Sequence, residues 1–130
     1  MIFVDTSVWY ARFVPDDPNH ARMVNWFAAN SEPLLTTDFC VDESLTLIAV
    51  RKRPQLAIVA GHELFQETIV KIHFLTRSQI ERAWILFQQR AAAGWSFTDC
   101  TSKITIDDFG LKFAAALDQH FSQFGVSLVL

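Results

Sequence analysis

The chain has 130 residues, 51% of them hydrophobic and 19% charged, with only 4 Gly and 4 Pro. That excludes a disordered or low-complexity chain and leaves room for one core, so a single domain over residues 1–130 is expected. Lys and Arg total 11 against 14 Asp and Glu, a formal charge of −3. This excludes a broad basic surface that would hold nucleic acid nonspecifically.

The apolar start, Met1 to Val4, stops at Asp5. It is too short for a signal peptide, and no apolar run approaches the roughly 20 residues of a membrane span. Cys40 and Cys100 make no disulfide framework, and no Cys/His set has zinc spacing. Reduced, packed thiols in a cytoplasmic protein that does not engage membranes are therefore expected.

In chain order, Ile2-Phe3-Val4 reads as a first strand, followed by a short helix from about Val8 to Phe13 that Pro15 stops. Asp17 and Pro18 open a second helix with His20, Val24 and Phe27 on one face. Pro33 to Thr36 is a short second strand. Helical spacing of Phe39, Leu45, Ile48 and Ala49 predicts a helix over about 38–52, and Pro54 starts the next, which runs to about Glu67. Val70 to Phe74 alternates with period two and reads as a strand. Ile80, Ala83, Trp84, Phe87 and Ala91 form a helical stripe that Gly94 ends. Ser96-Phe97-Thr98-Asp99 has the spacing of a capping box opening another helix. Phe113 to Leu117 is a fourth strand, a short helix follows from about Gln119, and Val126 to Leu130 is a further strand.

Apolar strands alternating with helices predict an α/β fold: a three-layer α/β/α sandwich around a central, mostly parallel sheet. Ligands of such sheets bind outside the carboxyl ends of the strands. Asp5 and Asp118 fall at two such ends, Asp99 in the first turn of a helix, and Glu43 in the helix after the second strand. Each acid also has an ordinary role open to it. Asp5 and Asp118 have the position of helix caps, Asp99 that of a capping-box member, and Glu43 that of an exposed helix residue beside Asp42. Together, however, crowded carboxylates repel, and protonation or a cation relieves the cost. An all-oxygen set suits a hard cation such as Mg²⁺ or Mn²⁺, and such a site activates water for phosphodiester hydrolysis. The hydroxyls of Thr6, Ser7 and Ser102 are placed to support the carboxylates or a water, while Thr6 and Ser7 are also candidates to cap the helix after Asp5.

Four blocks resemble the PIN-domain ribonucleases, and among them the VapC-type toxins of toxin–antitoxin pairs. They are Phe3-Val4-Asp5-Thr6-Ser7, Thr36-Thr37-Asp38 leading to Asp42-Glu43-Ser44-Leu45-Thr46, Trp95 to Ser102, and Asp118-Gln119-His120-Phe121. The resemblance covers essentially the whole chain. It implies Asp5, Glu43, Asp99 and Asp118 as metal-binding catalytic acids, Mg²⁺ as cofactor with Mn²⁺ able to substitute, and endoribonuclease cleavage of RNA. It also implies a homodimer and a small cognate antitoxin that places a basic side chain in the acidic pocket. Two features depart from the pattern. Gln119 stands where a basic residue is common, and Asp107-Asp108 put two acids at a helix C-terminus, which the helix dipole disfavours.

Arg51-Lys52-Arg53 is the only basic cluster and reads as a solvated helix end, with contact to RNA phosphate as the alternative. His120 reads as a packed or partly exposed helix residue, with a role at the metal site as the alternative; His20, His62 and His73 have no evident partners. Trp9, Tyr10 and Phe13 read as core, or as cover for a dimer or antitoxin surface; Trp26, Trp84 and Trp95 read as core. Leaving the four acids aside, 11 basic residues face 10 acidic ones, so the charge does not exclude an RNA substrate. The competing expectations are a catalytically weak PIN-fold module that acts through a protein partner, and a metal-dependent phosphatase.

Overall fold

The computed structural model describes residues 1–130. Ile2–Val4 forms strand β1, and all its side chains are buried. Successive strand residues point to opposite faces, so Phe3 enters one hydrophobic cluster while Ile2 and Val4 enter another. A strand apolar on both faces is stable only with helices over both.

The elements in order are β1, α1 (Thr6–Phe13), α2 (His20–Ala29), β2 (Leu34–Thr37), α3 (Asp38–Arg51), α4 (Pro54–Phe65), β3 (Lys71–His73) and α5 (Arg77–Arg90). A 3₁₀ turn (Ala91–Ala93), α6 (Phe97–Phe109), β4 (Phe113–Ala115), a 3₁₀ segment (Gln119–Gln123) and β5 (Ser127–Leu128) follow. All strand pairings are parallel and the order is β3-β2-β1-β4-β5. The expected three-layer α/β/α sandwich is therefore present. Helices α1 to α4 cover the Ile2/Val4 face, while α5, α6 and the 3₁₀ segment cover the Phe3 face. No helix is long and apolar enough to cross a membrane.

The strand order places the site. The chain adds β2 and β3 on one side of β1, then returns to add β4 and β5 on the other. The direction of winding reverses between β1 and β4, which opens a crevice at the carboxyl edge there. Register pairs Val4 with Ala115, so Asp5 follows one of these strands immediately and Asp118 follows the other after two residues.

Several boundaries move for local reasons. The fourth strand stops at Ala115 rather than Leu117 because Ser7 Oγ, not a strand carbonyl, accepts the Leu117 N–H at 3.0 Å. Helix α2 starts at His20 because Asp17 Oδ1 accepts the Asn19 N–H at 2.8 Å in a turn of its own. Trp84 is a correction to the expected core: it is 54% exposed, while Trp95 is buried and Trp26 packs edge-on to Phe27 at the margin of the core. Trp9 and Phe13 are core as read, and the Trp9 indole N–H donates to Thr36 Oγ1 at 3.2 Å. Of the histidines without an expected partner, His20 lies 2.9 Å from the Ala11 carbonyl and His73 2.8 Å from Gln79 Oε1.

Candidate active site

An open cleft of about 530 Å³ sits at the carboxyl edge, lined by Asp5, Glu43, Asp99 and Asp118 together with Thr6, Ser7 and His120. A larger groove, about 680 Å³, lies between α3 and α4, but its lining is mainly apolar and carries no carboxylate. The acidic cleft is the one with the means for chemistry.

Three of the acids are held by the backbone turns they create. Asp5 is the N-cap of α1, and its Oδ2 accepts the Ser7 N–H at 3.1 Å and the Ser7 hydroxyl at 2.6 Å. Asp99 Oδ2 accepts the Ser96 N–H at 2.8 Å while Ser96 Oγ accepts the Asp99 N–H at 2.9 Å, the reciprocal pair of a capping box. Asp118 Oδ1 accepts the His120 N–H at 2.9 Å at the start of the 3₁₀ segment. Capping and site-building are therefore one arrangement here. In each case these bonds fall on one carboxylate oxygen. Glu43 makes no hydrogen bond and is half-buried at the cleft wall, whereas its neighbour Asp42 is exposed outside it.

No Lys or Arg pairs with any of these four acids. Asp5 is only 5% exposed. Burial pushes its carboxyl up to about 7, the negative charge of Asp99 adds to the rise, and the Ser7 hydrogen bonds oppose it. A buried carboxylate without a counter-ion, beside a second one, is a donor set in want of a cation. The ligand-capable atoms of Asp99, Asp118 and His120 all lie within 4.8 Å of one another. Two buried polar atoms of the cleft residues, Thr6 Oγ1 and His120 Nδ1, have no hydrogen-bond partner. Oxygen-rich donors with unmatched charge fit a divalent cation.

The supporting hydroxyls divide. Thr6 and Ser7 line the cleft, but neither caps α1, because Asp5 does. Ser102 corrects the expectation placed on it. It is fully buried, its Oγ lies 3.5 Å from Cys40 Sγ, and it does not line the cleft. It sits three positions after Asp99, on the flank of α6 that packs toward α3, so its side chain points under the site.

His120 is likewise not simply a packed helix residue. Its Nδ1 is 3.3 Å from Asp118 Oδ1 and 3.5 Å from Asp99 Oδ2. The one sign of this in the sequence was its place two residues after a strand-end acid. Tyr10, Asp17, Asn19 and Arg51 also line the cleft. Of these, Arg51 is an exposed residue at the end of α3, as read, and its guanidinium also lies 5.7 Å from the Tyr10 ring centroid. Lys52 pairs with Asp16 at 2.8 Å. The cost expected of Asp107 and Asp108 is offset: Lys103 meets Asp107 at 2.7 Å, and Arg82 grips Asp108 with two bonds of 2.8 and 2.9 Å. Gln119 is exposed and outside the cleft.

A five-stranded parallel sheet with acids gathered at its β1/β4 crevice is the architecture of the PIN-domain nucleases. No protein-family model matches the chain. It is 30% identical to the 23S rRNA-specific endonuclease VapC20 of Mycobacterium tuberculosis over 125 residues, 96% of this chain and 95% of that protein. It is 28% identical to a VapC ribonuclease of Archaeoglobus fulgidus, covering 92% of this chain and 78% of that one. The crystal structure of M. tuberculosis VapC20, a sarcin-ricin loop cleaving toxin, matches with a TM-score of 0.90 at 28% identity, covering 98% of this chain and 97% of that one. FitAcB from Neisseria gonorrhoeae, at 20% identity and a TM-score of 0.70, covers 98% of this chain and 96% of its own and shares the fold. The chain belongs to the VapC family of PIN-domain ribonuclease toxins.

Proposed function

We propose that this protein is a divalent-metal-dependent endoribonuclease, one nuclease domain over residues 1–130, and the toxin of a toxin–antitoxin pair. The observation that carries the reading is the gathering of Asp5, Glu43, Asp99 and Asp118 around one cleft without a Lys or Arg partner, in a chain of the VapC family. Those four carboxylates would hold Mg²⁺, with Mn²⁺ as substitute. When bound, the ion supplies an activated water and positive charge opposite the oxygen that leaves phosphorus.

The protein's own residues do the rest. Ser7 fixes Asp5, Ser96 fixes Asp99, and the His120 N–H fixes Asp118, so three carboxylates are oriented before any ligand arrives. Thr6 lines the cleft with a buried, unpaired hydroxyl, which would support the carboxylates or a bound water. Arg51 at the rim offers a cation to the RNA backbone.

RNA is the substrate in this reading, a small cognate antitoxin the protein partner, and a homodimer in the cytoplasm the working form. Because the M. tuberculosis relative is named for 23S rRNA, that RNA is the first to assay. Incubation with Mn²⁺ should cleave it, and Asp5→Asn should abolish cleavage. Equal cleavage by both proteins would sink the assignment of the site.

A further inference from the structure

We infer that His120 is a direct ligand of the ion in this cleft and shifts its preference from Mg²⁺ toward Mn²⁺. The inference rests on the metal-dependent reading above and goes beyond its four carboxylates. The imidazole Nδ1 is buried, has no hydrogen bond, and lies between two carboxylate oxygens at 3.3 and 3.5 Å. With Asp99 and Asp118 it forms a three-residue group whose donor atoms all fall within 4.8 Å of one another.

The ring is held in that position. The His120 backbone N–H is bonded to Asp118, and Phe121, the next residue, is fully buried and stacked on Phe3 with ring centroids 6.1 Å apart. On its other side the ring edge faces Gly94, where an added Cβ would lie 3.7 Å from Nε2. The side chain is 31% exposed, while its Nδ1 is buried and faces the two carboxylates.

Ligand chemistry then decides the ion. Mg²⁺ takes oxygen ligands almost exclusively, whereas first-row transition ions accept imidazole readily. Replacing one oxygen by one imidazole nitrogen therefore disfavours Mg²⁺ relative to Mn²⁺, the transition ion that still suits carboxylates. Carboxylates alone would bind both ions with less discrimination.

The test measures binding rather than turnover. Mn²⁺ and Mg²⁺ are titrated calorimetrically into wild type, His120→Ala and His120→Gln, and the Mn²⁺-loaded proteins are examined by pulsed electron paramagnetic resonance for ¹⁴N coupling. Wild type should show the ¹⁴N signal of a coordinated imidazole, and both variants should lose it. The ratio of Mn²⁺ to Mg²⁺ affinity should fall on the order of tenfold, at least the loss that outer-shell partners of a metal site produce. If wild type binds Mn²⁺ without ¹⁴N coupling, or if folded variants keep the ratio, the inference is overturned while the carboxylate site stands. If wild type binds neither ion, both readings fall. Should the variants not fold, the wild-type spectrum alone decides.

Discussion

Ser7 joins the ends of two strands through one oxygen. Its Oγ donates to Asp5 Oδ2 at 2.6 Å and accepts the Leu117 N–H at 3.0 Å. The exit of β1, which carries Asp5, is thereby tied to the exit of β4, which leads to Asp118. Ser7→Ala removes both bonds and leaves the Leu117 N–H without its partner. A loss of about 1–3 kcal/mol is expected from such a group. Urea unfolding measures it, and RNA cleavage should fall further than the stability change explains, since Asp5 then keeps only the backbone N–H of residue 7.

Asp5 carries a charge that the metal-free fold does not welcome. Burial raises its carboxyl to about 7, so above that pH the folded protein bears an ionised, uncompensated carboxylate. Asn keeps the shape and can still accept from Ser7. At pH 8 without metal, Asp5→Asn should melt higher than wild type by about 3–8 °C. With millimolar Mn²⁺ the order should invert, because only wild type gains from a ligand that binds the native state. Thermal scans in metal and in a chelator test both halves; a variant that still gains stability from Mn²⁺ removes Asp5 from the ligand set.

The pair between Arg82 and Asp108 predicts a specific acid sensitivity. Two guanidinium bonds and a third from Gln79 Nε2 at 3.0 Å hold Asp108 below the usual carboxylate range. A depressed folded-state value means the contribution is fully present above the unfolded pKa, near 4, and is lost as pH falls through the folded one. Both side chains are partly exposed, so the effect is small, about 0.5–1 kcal/mol. Arg82→Ala should cost that much at pH 7 and less at pH 3, read from urea midpoints at the two pH values.

Cys40 and Cys100 should resist thiol reagents in the native state. Burial pushes both thiols up, Cys100 to about 11, with the charge of Asp5 adding at Cys40 and that of Asp99 at Cys100. The thiolate is the reactive form, and at pH 8 little of it exists. A chromogenic disulfide reagent should titrate neither thiol in the folded protein and both in guanidinium. Rapid reaction of the native protein would show that the layer between α3 and α6 opens.

The architecture and most of the acids were legible in the sequence for a physical reason. Strand-end acids and capping boxes are local signals, and Asp5, Asp99 and Asp118 are all local caps as well as cleft residues. Glu43 was legible through helical phase, which separates it from Asp42. Residues whose role depends on long-range packing were not legible. Arg51 folds back along α3 toward Tyr10, and Asp17 enters the cleft from the α1–α2 turn, and neither has a spacing that announces it. Ser102, three positions after Asp99 and so about 60° round the helix from it, falls against Cys40 of α3, a contact no local spacing announces. Trp84 shows that an apolar stripe on α5 does not ensure cover by another element. The cost expected of Asp108 is offset for the same long-range reason, since Arg82 comes from a different helix, whereas Asp107 is met locally by Lys103 one turn earlier on α6.

The winding of the sheet also sets when the cleft comes into being during synthesis. β1 is made first, but its neighbour on one side is β4, and the Ser7–Leu117 bond spans 110 positions of chain. Until Phe113 to Asp118 have left the ribosome, Asp5 has neither its facing wall nor the tie that orients it. The cleft is therefore incomplete while the segments up to α6 are being made. It is assembled only when β4 slots in beside β1.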